Sequence, residues 1–343
     1  MVEKRPNIVR RILAIRGMGQ VITVFGGIIV LCIIFSMMNP SFYSNRNIHN
    51  LLRQIAPFLI VGIGQSYVLI TGNIDLSIGS VLGMSCMISA TLMTRGINPW
   101  VAALITMIPA VATGVGNGLL VARAKLPPFI ATLGTMTIAR GIAQLVNGNR
   151  NTDSIGEAAR AFRDFFYYGR GIYFYNTVWI ALALWFVFNF ILTSTRTGRH
   201  IYAVGSNLEA AKLSGVNVTK TVVKAYAVSA FCSAVAGLIQ CSQGGLGTMD
   251  SGLSYELYAV AASVIGGVST LGGQGLLLGT VVGACVWGIM QNGLSLANVY
   301  VAYRNITVGI IVIISVLADI IVRTGRGNRL RSIARTKAPQ SAL

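Results

Sequence analysis

Long, unbroken apolar runs dominate the chain, and polar residues gather between them. Read as spans, the runs fall at 20–38, 55–71, 76–94, 99–121, 128–146, 176–193, 221–242, 256–270, 276–294 and 305–322. Each is close to the roughly 20 residues that a helix needs to cross the hydrocarbon core. Membrane β-strands would alternate apolar and polar positions, and these runs do not. The pattern therefore predicts an all-α, polytopic membrane helix bundle of about ten transmembrane helices.

Two places interrupt that pattern. Thr71-Gly72-Asn73-Ile74-Asp75-Leu76-Ser77-Ile78-Gly79-Ser80 splits what would otherwise be one long apolar run, so 71–80 reads as a broken or re-entrant helix. The second is a polar insert between Tyr202 and Lys224. It carries a short amphipathic pattern, with Ala203, Val204, Ala210, Ala211, Leu213 and Val216 set against Asn207, Glu209, Lys212 and Asn217. A helix of about two turns is expected over 208–213, with Gly205 and Gly215 as its start and stop. Two turns are unstable alone, so the helix needs the bundle or a soluble partner to pack against. An ordinary interfacial loop is the alternative reading.

Composition agrees with a membrane protein: 54% of the residues are hydrophobic and 10% charged, outside the soluble range. The 343 residues leave only short loops, so 1–343 is taken as a single transmembrane domain. Placing the amino terminus inside puts 18 Lys and Arg on the inner side and eight on the outer, with Arg140 inside a span. That bias predicts both termini in the cytoplasm, with a cytosolic segment 1–19, a cytosolic loop 194–220 and a basic cytosolic tail 323–343. It also accounts for the net charge of +18 as topology signal and attraction to anionic lipid, with no soluble domain to host nucleic acid. The first run is long enough to span, and Met37-Met38-Asn39-Pro40 offers no cleavage site. The five cysteines lack metal-ligand spacing and the two histidines lack partners, so no metal or other cofactor is expected.

Acidic residues number nine, and two of them open apolar spans. A carboxylate near the bilayer centre costs about 2.5–3.5 kcal/mol on insertion scales, so Asp75 and Glu256 should face a cavity or cap a half-helix by accepting free backbone N–H groups. Both readings stand at this point. Asp75-Leu76 followed by Asn117-Gly118-Leu119, and Glu256-Leu257 followed by Asn292-Gly293-Leu294, suggest inverted repeats over about 55–146 and 221–322.

These residues resemble a known family. Thr71 to Ser80 is similar to the Gly-Gly-Ile-Asp-Leu-Ser-Val-Gly-Ser segment of ribose-type sugar ABC importer permeases, with Asn73 in place of the second glycine. Leu126-Pro127-Pro128-Phe129-Ile130-Ala131-Thr132-Leu133-Gly134-Thr135 and the segment Tyr202 to Val218 match further family elements. Tyr255-Glu256-Leu257, Val264-Ile265-Gly266-Gly267 and Asn292-Gly293-Leu294 complete the likeness. Tyr258 departs from it, standing where the family commonly has Asp.

The resemblance implies a permease subunit in a bacterial inner membrane, paired as a homodimer or heterodimer and moving a pentose- or hexose-type sugar. Separate cytosolic ATPases would drive it and an extracytoplasmic binding protein would feed it. It places Gly205, Asn207, Glu209, Ala210, Leu213 and Gly215 at the ATPase contact. Thr71, Asn73, Asp75, Ser77, Asn117, Phe129, Glu256 and Asn292 are the expected substrate path, since neutral polyhydroxy solutes call for hydroxyl, amide and backbone surfaces. The chain has no G-x-x-x-x-G-K-[ST] motif, so it is not expected to bind nucleotide or to be an enzyme. The outer loop 147–175, rich in both charge signs, meets the binding protein or is merely solvated. The competing readings are a permease for branched-chain amino acids or nucleosides, and a proton-coupled secondary transporter using Asp75 and Glu256.

Overall fold

The computed structural model describes residues 18–307, 309–311, 313–314 and 316–317. The expected tail 323–343, most of the segment 1–19 and part of the 305–322 span lie outside the described residues. Among the described residues the regular structure is helical: α1 (Met18–Met38), α2 (Asn45–Ile70), α3 (Ile78–Thr94), α4 (Pro99–Ala122), α5 (Pro128–Leu145), α6 (Asn176–Ser194), α7 (Arg196–Ser206), α8 (Leu208–Leu213), α9 (Val218–Gly244), α10 (Tyr255–Ile265) and α11 (Leu277–Leu296). Six of these, α1, α2, α4, α6, α9 and α11, are long and apolar enough to cross a membrane. The chain is thus a multi-pass helical bundle.

Helix α9 is the centre, packing along α4, α3 and α2, while α11 and α10 close on the other side of α2. The contacts depend on small residues. A Cβ at Gly64 would come within 2.8 Å of the Ser229 backbone, and one at Gly118 within 2.5 Å of Val223. Without a hydrophobic drive between helices in lipid, close backbone approach and interhelical hydrogen bonds take over. Ser66 on α2 bonds Ser263 on α10 at 3.0 Å and Thr280 on α11 at 2.8 Å. The outer faces of α1, α4 and α6 stay apolar and exposed, as lipid requires.

Two expected spans are altered. The run 256–270 yields only α10, with 11 residues, about 16 Å, or half the hydrocarbon thickness. Its apolar sequence continues past Ile265, but Gly266 to Gly275 turns away as a loop between α10 and α11. The expected span 55–71 begins ten residues earlier, at Asn45, because Ser44 caps it by accepting from the Asn47 N–H at 3.2 Å.

The loop 147–175 is a folded cap on one end of the bundle. Its Thr152 and Ile155 N–H groups donate to the Gly247 and Gly245 carbonyls, both at 2.9 Å, and Phe162 is buried. Asp153, Glu157 and Asp164 are exposed on its surface.

Candidate functional site

The first break runs from Thr71 to Ser77, between α2 and α3. Gly72 adopts a left-handed φ of 79° and ends α2, and the irregular backbone beyond it is partly buried, with Asp75 and Ser77 fully so. Non-helical backbone at membrane depth survives only where its polar groups find partners in the protein. Here the Tyr226 hydroxyl on α9 donates to the Ile74 carbonyl at 2.9 Å. Asp75 supplies the acceptors: its carboxylate takes the Ser77 N–H at 2.9 Å, the Ser77 hydroxyl at 2.6 Å and the Ser229 hydroxyl at 2.7 Å.

The chain of bonds continues outward. The Asn117 side-chain amide on α4 donates to the Ser77 hydroxyl at 3.0 Å, and the Thr135 hydroxyl on α5 donates to Asn117 Oδ1 at 2.7 Å. One buried polar line therefore ties α9, the break, α4 and α5 together. The one backbone N–H that Asp75 accepts is that of Ser77, just ahead of α3, and the first turn of α3 receives no side-chain cap.

The second break, residues 245–254, lies between α9 and α10 and is satisfied in the same way. Arg140 on α5 sends Nη1 to the Met249 and Ser251 carbonyls, at 3.0 and 2.8 Å. The first turn of α3, just past the first break, meets the second break backbone to backbone. A Cβ at Gly79 would collide with the Gly252 carbonyl oxygen and the Glu256 carboxylate, and one at Gly252 would collide with the Gly79 carbonyl. Glu256 sits half-buried in the first turn of α10, against Gly79.

At the opposite end of the bundle from the folded cap, α7 and α8 form the polar insert. Helix α8 spans Leu208–Leu213, as its pattern predicts. Its start is corrected: Gly205 lies inside α7, and Asn207 caps α8 by accepting from the Ala210 N–H at 2.9 Å. Ala203 and Val204 likewise belong to α7. The stop is as expected, with Gly215 at φ 79° and its N–H bonded to the Lys212 carbonyl at 2.9 Å. Glu209 pairs with Lys212 at 2.7 Å on the surface, and Leu213 is 90% exposed.

Gly205 is instead a packing point. A Cβ there would strike the Ile70 carbonyl oxygen, which also accepts from the Gly273 N–H at 2.8 Å. The Tyr202 hydroxyl donates to the Gly275 carbonyl at 2.7 Å. Helix α7 thus touches the last residue of α2, just ahead of the first break, and the loop that follows α10.

The remaining expected residues separate from this cluster. Thr71 and Asn73 bond each other at 2.8 Å within the turn. Asn292 pairs reciprocally with Asn47, at 2.9 and 3.1 Å, and Phe129 is exposed near the start of α5. Sequence reasoning gave no role to Ser229, Asn47 and Tyr226, which lie in no motif, or to Thr135, which closes the 126–135 element. Arg140 did leave a signal, as a cation within an apolar run. No group of His, Cys, Asp and Glu among the described residues is placed to hold a metal ion.

A family model described as the permease component of branched-chain amino acid transport systems matches residues 47–316. The ribose import permease protein RbsC of Bacillus subtilis is 38% identical over 305 residues, covering 88% of this chain and 94% of that protein. The galactose/methyl galactoside import permease protein MglC of Haemophilus influenzae is 33% identical over 312 residues, covering 85% and 91%. The D-allose transport system permease protein AlsC of Escherichia coli is 32% identical over 295 residues, covering 84% and 88%. No solved structure matches the chain. With its broken, internally satisfied helices and this match along most of its length, the chain belongs to the transport-permease family that the model describes.

Proposed function

We propose that this chain is the permease subunit of an ATP-driven importer that moves a monosaccharide into the cytoplasm. The observation that carries the reading is the join that α7 makes between the exposed α8 and both the end of α2 and the loop after α10, through Gly205 against Ile70 and Tyr202 against Gly275. A two-turn surface helix with an exposed leucine at its tip suits a groove in a soluble partner. Movement of α8 passes through α7 to the end of α2 and to the loop after α10. Rigid elements hinged at breaks are the parts that alternating access requires.

In this reading the α7–α8 end faces the cytoplasm and the cap 147–175 faces outward, where it meets a sugar-binding protein. Both termini are cytoplasmic, about ten helices cross a bacterial inner membrane, and a second permease copy or close relative completes the path. Asn207, Glu209, Ala210, Leu213 and Gly215 make the ATPase contact, with Gly205 seating the element from within. Asp75, Ser77 and Asn117 hold the break beside the path, and Thr71, Asn73, Phe129, Glu256 and Asn292 lie along its length. The sugar relatives named above favour a sugar over an amino acid.

The test is uptake by proteoliposomes. The chain with its ATPase and binding protein should take up an aldose only when ATP is supplied inside. Uptake by the chain alone, driven by an imposed pH gradient, would overturn the reading.

A further inference from the structure

At the capped end of the bundle, α2, α10 and α11 enclose a cavity of about 330 Å³ that none of the expected path residues lines. One wall is aromatic. The Phe58 ring stands 5.6 Å from Tyr255 and 5.5 Å from Tyr258, and Trp287 backs Tyr258 at 5.0 Å. The facing surface is amide and guanidinium: Gln54, Gln243 and Gln291, with Arg53 and Arg304. Gln54, Gln243 and Ser295 are exposed and form the rim.

The two arginines carry unused donors. The Nε atoms of Arg53 and Arg304 are buried without an acceptor, and no carboxylate lines the cavity. Arg53 is also held in place. Its guanidinium lies over Tyr167 at 4.3 Å and Tyr175 at 4.2 Å, and Nη2 donates to Asn50 at 3.0 Å. Buried donors without partners are costly, and a guanidinium fixed between two rings with Nε–H free is ready for an incoming oxygen. That oxygen comes from a ligand that also needs acceptors, since three carboxamides and a serine hydroxyl offer both roles, whereas an anion would need donors alone. The aromatic wall is a cluster of rings inclined 43° to 80° to one another, so one ring can offer its face to a sugar, whose C–H face packs on π-surface while its edge hydroxyls bond planar donors. The volume lies at the small end of ligand sites and suits one ring with some water.

We infer that this cavity is an outward-facing binding site for a single neutral sugar ring, the first stop on the route through the permease. The inference rests on the sugar-permease reading and adds the residues that receive the substrate. One face among Phe58, Tyr255 and Tyr258 packs on the ring while the others wall it in, and Arg53, Arg304 and Gln291 bond its hydroxyls.

The test uses the permease–ATPase complex in nanodiscs without binding protein, probed by saturation-transfer NMR with D-ribose, D-allose and D-galactose, and with D-glucuronate as an anionic comparison. Ring-proton transfer from at least one aldose is expected, reduced about fivefold or more in Gln291→Leu. Ser295→Trp blocks the rim without disturbing packed neighbours and should give the same loss if Gln291→Leu assembles poorly. Both variants should also slow uptake by the complete assembly with binding protein. Wild-type uptake of an aldose together with unchanged transfer and uptake in both variants would sink the cavity assignment and leave the sugar-permease reading standing. Transfer from glucuronate alone would make it an anion site and overturn the inference. Failure of the complete wild-type assembly to move any of the three aldoses would remove both.

Discussion

Ser229 on α9 donates its hydroxyl to the Asp75 carboxylate at 2.7 Å, fastening the first helix break to the helix at the centre of the bundle. The other Asp75 oxygen takes both the N–H and the hydroxyl of Ser77. An acid that is 1% exposed and accepts three hydrogen bonds is occupied with holding backbone in place.

Replacing Asp75 with Ala should therefore destabilise the protein by about 1–3 kcal/mol, the cost of leaving buried donors without acceptors. Asp75→Asn keeps one acceptor oxygen and should lose less. Unfolding in detergent measures both. Equal stability of Asp75→Ala and wild type would contradict this structural role.

Asn47 and Asn292 exchange two hydrogen bonds between α2 and α11. A double-mutant cycle with Asn47→Ala and Asn292→Ala should give a coupling energy of about 0.6–1.7 kcal/mol, the range for interhelical bonds in a membrane. Strictly additive effects would show that the amides do not interact.

Gly205→Val should abolish uptake and lower the yield of assembled protein, because its side chain enters the space of the Ile70 carbonyl and Gly273 N–H. Gly19→Val is the control, since nothing lies within 4 Å of a Cβ there. Uptake in Gly205→Val equal to that of the control would show that α7 does not sit tightly on the end of α2 and the loop after α10.

Glu209→Arg breaks one exposed i,i+3 pair with Lys212, worth about 0.2–0.5 kcal/mol at most. Membrane insertion and thermal stability should stay near wild type while ATP-driven uptake falls by an order of magnitude. ATPase co-purification read beside uptake separates loss of docking from loss of path, and unaltered transport would argue against α8 as the contact.

The local features were readable from the chain because they depend on nearby residues. Apolar runs announce helices, Gly72 and Asp75 announce a break, and Asn207 to Gly215 encode a capped two-turn helix. Even there a neighbour misled: Gly205 looked like a helix start, yet Asn207 has the side chain that can accept an N–H, and the glycine at 205 lets α7 contact a distant carbonyl. Tyr258, which interrupts the resemblance to the sugar permeases, took on meaning only once it formed a cavity wall with Phe58 and Tyr255.

What the sequence by itself determined is a helical membrane bundle with one broken segment and one polar insert, since hydropathy, glycine and capping residues act over a few positions. The partners were decided by the tertiary structure. Asn117 reaches Ser77 and Asn292 reaches Asn47, although both asparagines sit in the same short Asn-Gly-Leu motif. Which groups meet depends on how each helix is rotated and slid against its neighbours. That is set by the summed fit of small residues such as Gly64, Gly79 and Gly252, and no local stretch of sequence contains it.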